Sequence, residues 1–260
     1  MAHADDAYDA LERRDPAQRE AALMQALSAQ VAHAQATTAA FGRSLAGIDA
    51  AGITSRAALA RLPVVRKHEL LERQKAGPDV FGGLSAVSWG AGTPGARRAL
   101  RVFQSPGPIH EPEGARADYW RMARALHAAG LRAGDLVHNT FSYHFTPAGA
   151  MMESGAFALG CTVFPAGIGQ TEMQVQAIAA MRPDAYIGTP SFLKILVEKA
   201  GELGTPIDSL RKASVGGEAF PPSLREWLRE RGIEAYQSYG TADLGLIAYE
   251  TAAREGLVLD

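Results

Sequence analysis

Three short segments concentrate residue types able to do chemistry: Thr189-Pro190-Ser191, Gly216-Gly217-Glu218 and Ser238-Tyr239-Gly240-Thr241-Ala242-Asp243. Glycines let a ligand approach the backbone, hydroxyls suit phosphate, and a carboxylate suits a hard divalent cation. Each segment follows an apolar run: AYIG from Ala185, ASV from Ala213 and IEAYQ from Ile233. An aspartate in a glycine-bounded loop after a strand suits a magnesium held by one protein carboxylate plus phosphates, with a turn or helix-cap aspartate as the alternative. A fourth segment, FSYHF, offers Phe141, Tyr143, His144 and Phe145. Aromatic side chains there suit a flat or apolar ligand, and core packing is equally compatible. If the preceding strand continues, its period of two places Phe141, Tyr143 and Phe145 on one face.

Other motifs carry less. GAGTPG from Gly90 to Gly95 satisfies GxGxxG, but the ARRALRVFQS that follows reads as a strand, whereas a dinucleotide site needs a helix opening directly after the glycines. A plain glycine loop is favoured over a nicotinamide site. There is no GxxxxGK[ST] phosphate loop and no GxSxG nucleophile elbow. The seven histidines show no HExxH spacing, and Cys161 reads as a small core hydrophobe because no sequence neighbour would lower its pKa.

These segments need elements to hold them, and the chain supplies a rhythm. From Leu136 strands alternate with helices: LVHNT, a helix to Gly160, CTVFP, a helix from Thr171 to Met181, AYIG, a helix from Ser191, ASVGG, a helix from Pro222, and IEAYQ. This predicts an α/β fold with a mainly parallel sheet and flanking helices, whose ligands gather beyond the carboxyl ends of the strands. A further helix is expected over Glu113–Ala129. Thr146 is expected as the cap of a helix with Pro147 at its first position, and Thr171 with Gln174 as a capping box. Residues 1–75 read as an N-terminal helical segment, with Lys67 to Gln74 as its last piece, and residues 76–260 as the α/β core, entered through a loop up to Gly95.

Composition narrows the partners. The chain has 260 residues, 26 Lys and Arg against 28 Asp and Glu, and a net charge of -2, so no basic excess favours nucleic acid or an anionic membrane. One cysteine excludes an intramolecular disulfide and a cysteine-rich zinc site. Between Leu136 and Thr171 Glu153 is the only formal charge, yet His138, Asn139, His144, Pro147 and Pro165 also interrupt the run, which suits a buried core rather than a membrane span. The N-terminal MAHADDAYDALERRD lacks the basic-then-apolar pattern of a secretory signal, which leads to a cytoplasmic expectation.

SVGGEAFPPSLREWL followed by IEAYQSYGTADLGLIAYE resembles the adenine- and metal-binding region of the adenylate-forming ligases, and within them the phenylacetate-coenzyme A ligase group. LPVVRKHEL, AAGLRAGDLVHNTFSYHFTPAG and TPSFLKILVE fall in the family's order, so the resemblance covers roughly Leu62 to Glu250. It implies activation of a small carboxylic acid by ATP with Mg2+, through an acyl-adenylate, to a coenzyme A thioester. Tyr239 and Gly240 on one side and Gly216, Gly217, Glu218 and Ala219 on the other would then hold adenine. Asp243 falls where the family places its metal-binding acid, usually glutamate, and Thr241 joins it as a candidate catalytic residue. Phe141, Tyr143, His144 and Phe145 would line the acid pocket. Two departures stand out. Ala242 occupies the place before the acid where the family usually carries Ser or Thr. The family's phosphate loop should fall near Gln104 to Gly114, where this chain reads QSPGPIHEPEG, with Ser105 and Gly107 as donors, no lysine, and Glu111 and Glu113 close by. Either those acids turn to solvent or triphosphate binds differently; a carboxylate facing phosphate at ~4 Å would cost about 4 kcal/mol at an effective dielectric of ~20.

The resemblance also implies a further strand and a mobile C-terminal domain after GLVLD, so the chain is expected to be an N-terminal part with little ligase turnover alone. No nucleic acid and no membrane are expected as partners, and a homodimer is compatible. The alternative to a ligase is a catalytically weak relative that binds nucleotide or acyl ligand, with a nicotinamide-dependent oxidoreductase behind it.

Overall fold

The computed structural model describes residues 7–93 and 95–260; the first six residues of the N-terminal stretch and Pro94 of the glycine loop lie outside the described residues. The chain divides into two compact units, Asp9–Ala115 and Arg116–Asp260, the latter joined by Ala7 and Tyr8. This division lies at 115/116, whereas the sequence pattern marks a segment boundary at 75/76.

Within Asp9–Ala115, helix α1 (Pro16–Thr37) opens where Asp15 accepts the N–H groups of Ala17 and Gln18, with proline at its first position. Helices α2 (Ala39–Ser44), α3 (Arg56–Leu59) and α4 (Lys67–Ala76) follow. Val31, Leu45, Ile53 and Ala58 form this unit's buried cluster. Past the glycine loop, a single 3-10 turn (Gly95–Arg97) leads into an antiparallel hairpin, β1 (Ala99–Ser105) with β2 (Ile109–Gly114). Among the described residues this short turn, and no α-helix of the kind a dinucleotide site would require, follows GAGTPG.

Within Arg116–Asp260, the elements run α5 (Met122–Ala128), β3 (Leu136–Asn139), α6 (Ala148–Ala158), β4 (Thr162–Pro165), α7 (Thr171–Met181), β5 (Ala185–Gly188), α8 (Pro190–Glu202), β6 (Lys212–Val215), α9 (Pro222–Arg229), β7 (Glu234–Thr241), β8 (Gly245–Glu250) and β9 (Leu257–Leu259). Among the described residues they form a seven-stranded sheet in the order β4-β3-β5-β6-β7-β8-β9. Neighbours are parallel from β4 to β7 and antiparallel from β7 to β9. Helical crossovers cover the parallel strands, so β5 is buried at every position, as its uninterrupted apolar run demands. Val175, Ile178, Leu193, Leu196, Val215 and Leu228 pack the core against it.

Four local expectations are corrected. Glu113 and Gly114 belong to β2, and the helix expected from Glu113 begins only at Met122, because the chain first turns through Asp118 and Arg121 at φ 45 and 63. The Asp118 carboxylate accepts Ala123 N–H at 3.0 Å. At α6 the cap is Pro147 and the helix starts at Ala148, with no capping bond from a side chain. At α7 Gln170, at φ 51, is the cap, and Gln174 turns to the carbonyls of Gly167 and Gly169 rather than back to the helix start. Finally, β7 runs on to Thr241, so Tyr239 and Gly240 sit in a strand, and Asp243 lies in the tight turn of a hairpin.

Candidate functional site

The segments after β3, β5 and β6 lie past the carboxyl ends of their strands, while Ser238–Thr241 belongs to β7 itself, and backbone geometry brings the first three into contact. Gly216 is pressed on β7: a Cβ there would meet the Ser238 carbonyl at 2.9 Å. Gly217, at φ +79, faces the ring of Phe141, whose Cε1 would lie 3.5 Å from an added Cβ, with Thr189 Cγ2 at 3.8 Å. The left-handed backbone favours glycine here, and the ring stands at van der Waals distance from where a Cβ would be. The glycine loop, the aromatic loop and the TPS loop thus meet at one point. Glu218 ties the arrangement down by accepting the Ser191 N–H at 2.7 Å, a carboxylate at the start of α8 where the helix dipole favours negative charge. Beneath it, the fully buried Tyr186 hydroxyl lies 2.8 Å from Thr140 Oγ1 and donates to the Thr189 carbonyl at 3.0 Å. Burial, the largest influence, pushes the Tyr186 phenol well above its usual range, so it stays a donor.

The aromatic loop does not continue β3, which ends at Asn139. Period two therefore fails: Phe141 and Tyr143 are half-buried, while His144 is exposed and Phe145, at φ 60, is 74% exposed. The Ser142 hydroxyl donates to the His144 carbonyl and accepts the His144 N–H at 3.1 Å, a local turn that carries the imidazole outward. Of the four aromatic-loop candidates, Phe141 is the one set against the glycine loop.

Tyr239 presents a ring that is 54% exposed from β7, opposite Ala248. Between the Tyr239–Ala248 and Gly240–Leu246 pairs β8 carries one extra residue, Ile247. Thr241 Oγ1 accepts Leu244 N–H at 3.2 Å across the turn that exposes Asp243. The turn is held by residues that the sequence patterns did not single out. Trp120 donates its indole N–H to the Ala242 carbonyl at 3.3 Å, and its own carbonyl accepts Leu246 N–H at 2.9 Å. Arg121 reaches the carbonyls of Leu244 and Leu246 at 2.8 and 3.0 Å. Gly245, at φ +75, has the Trp120 carbonyl only 2.5 Å from where a Cβ would sit. The available signal was the Tyr119-Trp120-Arg121 run, hidden inside an expected helix. The start of β7 is anchored too: Glu250 accepts Gln237 N–H at 3.0 Å and pairs with Arg225 at 2.9 Å, and Arg225 lies 4.3 Å from the Phe220 ring centroid.

Ser105 and Gly107 belong to the other unit, Asp9–Ala115. There the QSPGPIHEPEG segment is the β1–β2 hairpin. Its acids are not turned to solvent, because Glu111 and Glu113 are both buried. Glu111 accepts the Ser105 hydroxyl at 2.7 Å and Glu113 pairs with Arg101 at 3.0 Å. A charge-assisted bond of this kind is among the stronger ones, so the serine is already engaged within its hairpin.

Two further groups are settled by their surroundings. Burial raises the Cys161 thiol to about 11, with Asp135 adding to the effect, so it is an inert core residue. His138 is fully buried, and its Nε2 lies 2.8 Å from Gln174 Oε1. Because the Gln174 amide nitrogen is spent on the Gly167 and Gly169 carbonyls at 2.9 and 2.7 Å, its oxygen faces the ring. Nε2 must then carry the proton. Burial lowers the imidazole pKa more than the Gln174 bond raises it, which keeps the ring neutral.

Comparison with known proteins follows the same geography. The family model described as AMP-binding enzyme matches residues 116–257, more than half of the chain. The chain belongs to the AMP-binding enzyme family. Among its relatives this AMP-binding chain is 36% identical over 134 residues to the phenylacetate-coenzyme A ligase of Aromatoleum evansii, covering 49% of this chain and 30% of that protein. It is 30% identical over 211 residues to the phenylacetate-coenzyme A ligase of Thermus thermophilus, covering 76% and 44%. Among solved structures, an open conformation of 2-hydroxyisobutyryl-CoA ligase in complex with 2-HIB-AMP and CoA superposes with a TM-score of 0.82 at 25% identity, over 94% of this chain and 55% of that one. The resemblance to phenylacetate-coenzyme A ligases therefore holds, and the chain spans less than half the length of the two curated relatives. Among the described residues no helix is long and apolar enough to cross a membrane.

Proposed function

We propose that the chain is the nucleotide- and acid-binding part of an AMP-forming acid–coenzyme A ligase acting on an aryl or other apolar carboxylic acid. The observation that carries this reading is the packing of Phe141 on Gly217. It puts the proposed acid wall beside the glycine loop proposed for the nucleotide, an adjacency that joining an acid to AMP would require. In the reaction, a carboxylate oxygen attacks the α-phosphorus of ATP and pyrophosphate leaves; the thiol of coenzyme A then attacks the acyl carbon and AMP leaves. The exposed Tyr239 ring, with Gly240 beside it, and the Gly216–Ala219 backbone would hold adenine between them. Phe141 and Tyr143 would orient the acid, and His144 and Phe145 would face its entrance.

A single exposed carboxylate in a turn fits Mg2+, which keeps several waters and takes its other oxygens from phosphate. Asp243 would hold it, and Thr241, whose hydroxyl proton is left to donate by the bond from Leu244 N–H, would meet a phosphate oxygen. When bound, Mg2+ would spread the negative charge that develops on the leaving pyrophosphate. Gly107 and Ser105 remain candidates for the phosphate side, and Ser105 would have to exchange Glu111 for a phosphate oxygen. Assembly as a homodimer and a cytoplasmic location complete the proposal.

The test, run on the intact parent protein rather than on this stretch alone, is calorimetry with AMP, NAD and non-hydrolysable acyl-sulfamoyl adenosines, paired with ATP–pyrophosphate exchange. Tight mimic binding with exchange supports the ligase, and NAD binding alone would sink it. Mimic binding without exchange would favour a weak nucleotide- and acyl-binding relative, a reading motivated by Ala242 and by the inward-facing Glu111 and Glu113.

A further inference from the structure

We propose that Asn139 is a positioning residue for the acid-binding wall, holding Phe141 and Tyr143 in place for the acyl half of the ligand; this rests on the reading under Proposed function. Asn139 closes β3 and is fully buried, and its side chain uses both ends of the amide. Nδ2 donates to the Tyr143 hydroxyl at 2.8 Å and to the Gly149 carbonyl at 2.9 Å, while Oδ1 accepts the Phe141 N–H at 3.2 Å. The Tyr143 hydroxyl in turn donates to Glu153 Oε2 at 3.0 Å. The backbone carbonyl of Asn139 also accepts the Gly167 N–H at 3.1 Å, reaching the segment after β4.

Only an amide offers two donors and an acceptor from one short side chain. Aspartate would keep the acceptor for Phe141, lose both donors, and set a charge against the Gly149 carbonyl. Little slack exists nearby: a Cβ on Gly149 would lie 2.8 Å from the Ser142 carbonyl and 2.9 Å from the Tyr143 ring, so the first turn of α6 is already pressed onto the aromatic loop. Asn139 itself is shielded from ligand, and Phe141, which it aims, faces Gly217. Loosening it should therefore be felt by an acyl group more than by the nucleotide.

The experiment compares the full chain with Asn139→Ala, Asn139→Asp and Tyr143→Phe, titrating AMP and a panel of aryl- and alkyl-acyl sulfamoyl adenosines by calorimetry. The expected result is a loss of about tenfold in affinity for the tightest mimic in both Asn139 variants, with AMP held within about twofold. Tyr143→Phe keeps the ring and removes only the hydroxyl that Asn139 reaches, and should lose about threefold for the mimic alone. This variant decides the matter if the Asn139 variants do not fold. Equal losses for AMP and mimic, which a general structural role would produce, or no loss for the mimic would overturn the proposal. If the unaltered chain binds AMP but no mimic more tightly, the nucleotide half of the functional reading stands and this proposal falls. If it binds neither, the functional reading itself is wrong and the proposal goes with it.

Discussion

Glu218 accepts the backbone N–H of Ser191 at 2.7 Å, so the loop after β6 is tied to the start of α8. The carboxylate satisfies one of the helix's unpaired N–H groups and places negative charge at the positive end of its dipole. Glu218→Ala should lower stability by about 0.5–1 kcal/mol and weaken mimic binding through the loosened Gly216-Gly217 segment. Glu218→Gln, which keeps an acceptor and removes the charge, should fall between. Urea midpoints and calorimetry on the three proteins read both effects, and a Glu218→Ala variant indistinguishable from the parent would show that the bond is not formed in solution.

Two glycines should respond in opposite directions. At Gly188 an added Cβ would run into the Thr140 and Tyr186 hydroxyls beneath the TPS loop. Gly188→Ala should cost about 3 kcal/mol, since neither buried hydroxyl has room to retreat. Gly201, inside α8, has nothing within 4 Å of the same position. Gly201→Ala should gain about 0.5–1 kcal/mol from the reduced freedom of the unfolded chain. Urea midpoints of the two variants against the parent read both signs.

Protonation of His138 should make the fold acid-sensitive. Its folded pKa is lowered from 6.5, mainly by burial, so the unfolded chain takes up a proton first as pH falls. The stability contribution is complete above about pH 6.5 and is lost progressively below it, down through the lower folded pKa. His138→Gln removes the titration and should flatten the dependence of Tm on pH below about 6.5. A slope unchanged by the substitution would assign the acid sensitivity elsewhere.

Asp243 and Trp120 should separate ligand binding from stability. Asp243→Asn, at an exposed turn position, should change the urea midpoint little and remove most of the Mg2+-dependent gain in ATP affinity. Trp120→Phe deletes the indole bond to the Ala242 carbonyl while keeping a buried ring. It should lower stability by about 1–2 kcal/mol and weaken the same Mg2+-dependent gain.

The parallel half of the sheet was readable because each strand there is a short apolar run closed by glycine, proline or a hydroxyl. AYIG matches β5 residue for residue, and the runs around Leu136, Thr162 and Ala213 lie within a residue or two of β3, β4 and β6. Meeting of the glycine loop and FSYHF was not readable, since it depends on Phe141 turning back after β3 ends, under the control of a buried amide. Gln174 shows the same limit. Its spacing from Thr171 fits a capping box, yet two loop carbonyls and a buried imidazole outbid the helix end, and those partners lie off the local pattern. The hairpin character of QSPGPIHEPEG was concealed because Glu111 and Glu113 look like solvent residues until Ser105 and Arg101 are seen opposite them. Asp243 was found by type and placement, but the tryptophan that steadies its turn lies more than a hundred residues earlier in the chain.

The surplus residue in β8 acts as a spacer. Because Ile247 has no opposite number on β7, Gly245 arrives beside the Trp120 carbonyl, a place that tolerates no side chain. Deleting Ile247 would make the ladder regular and slide the whole tip by one rung, setting a residue with a side chain where Gly245 now faces that carbonyl and carrying Asp243 away from its present outlook. The connection after α8 carries none of the candidate site residues, whereas this tip carries Thr241 and Asp243. Length variation introduced into the chain should therefore be accepted after α8 and rejected between Tyr239 and Tyr249.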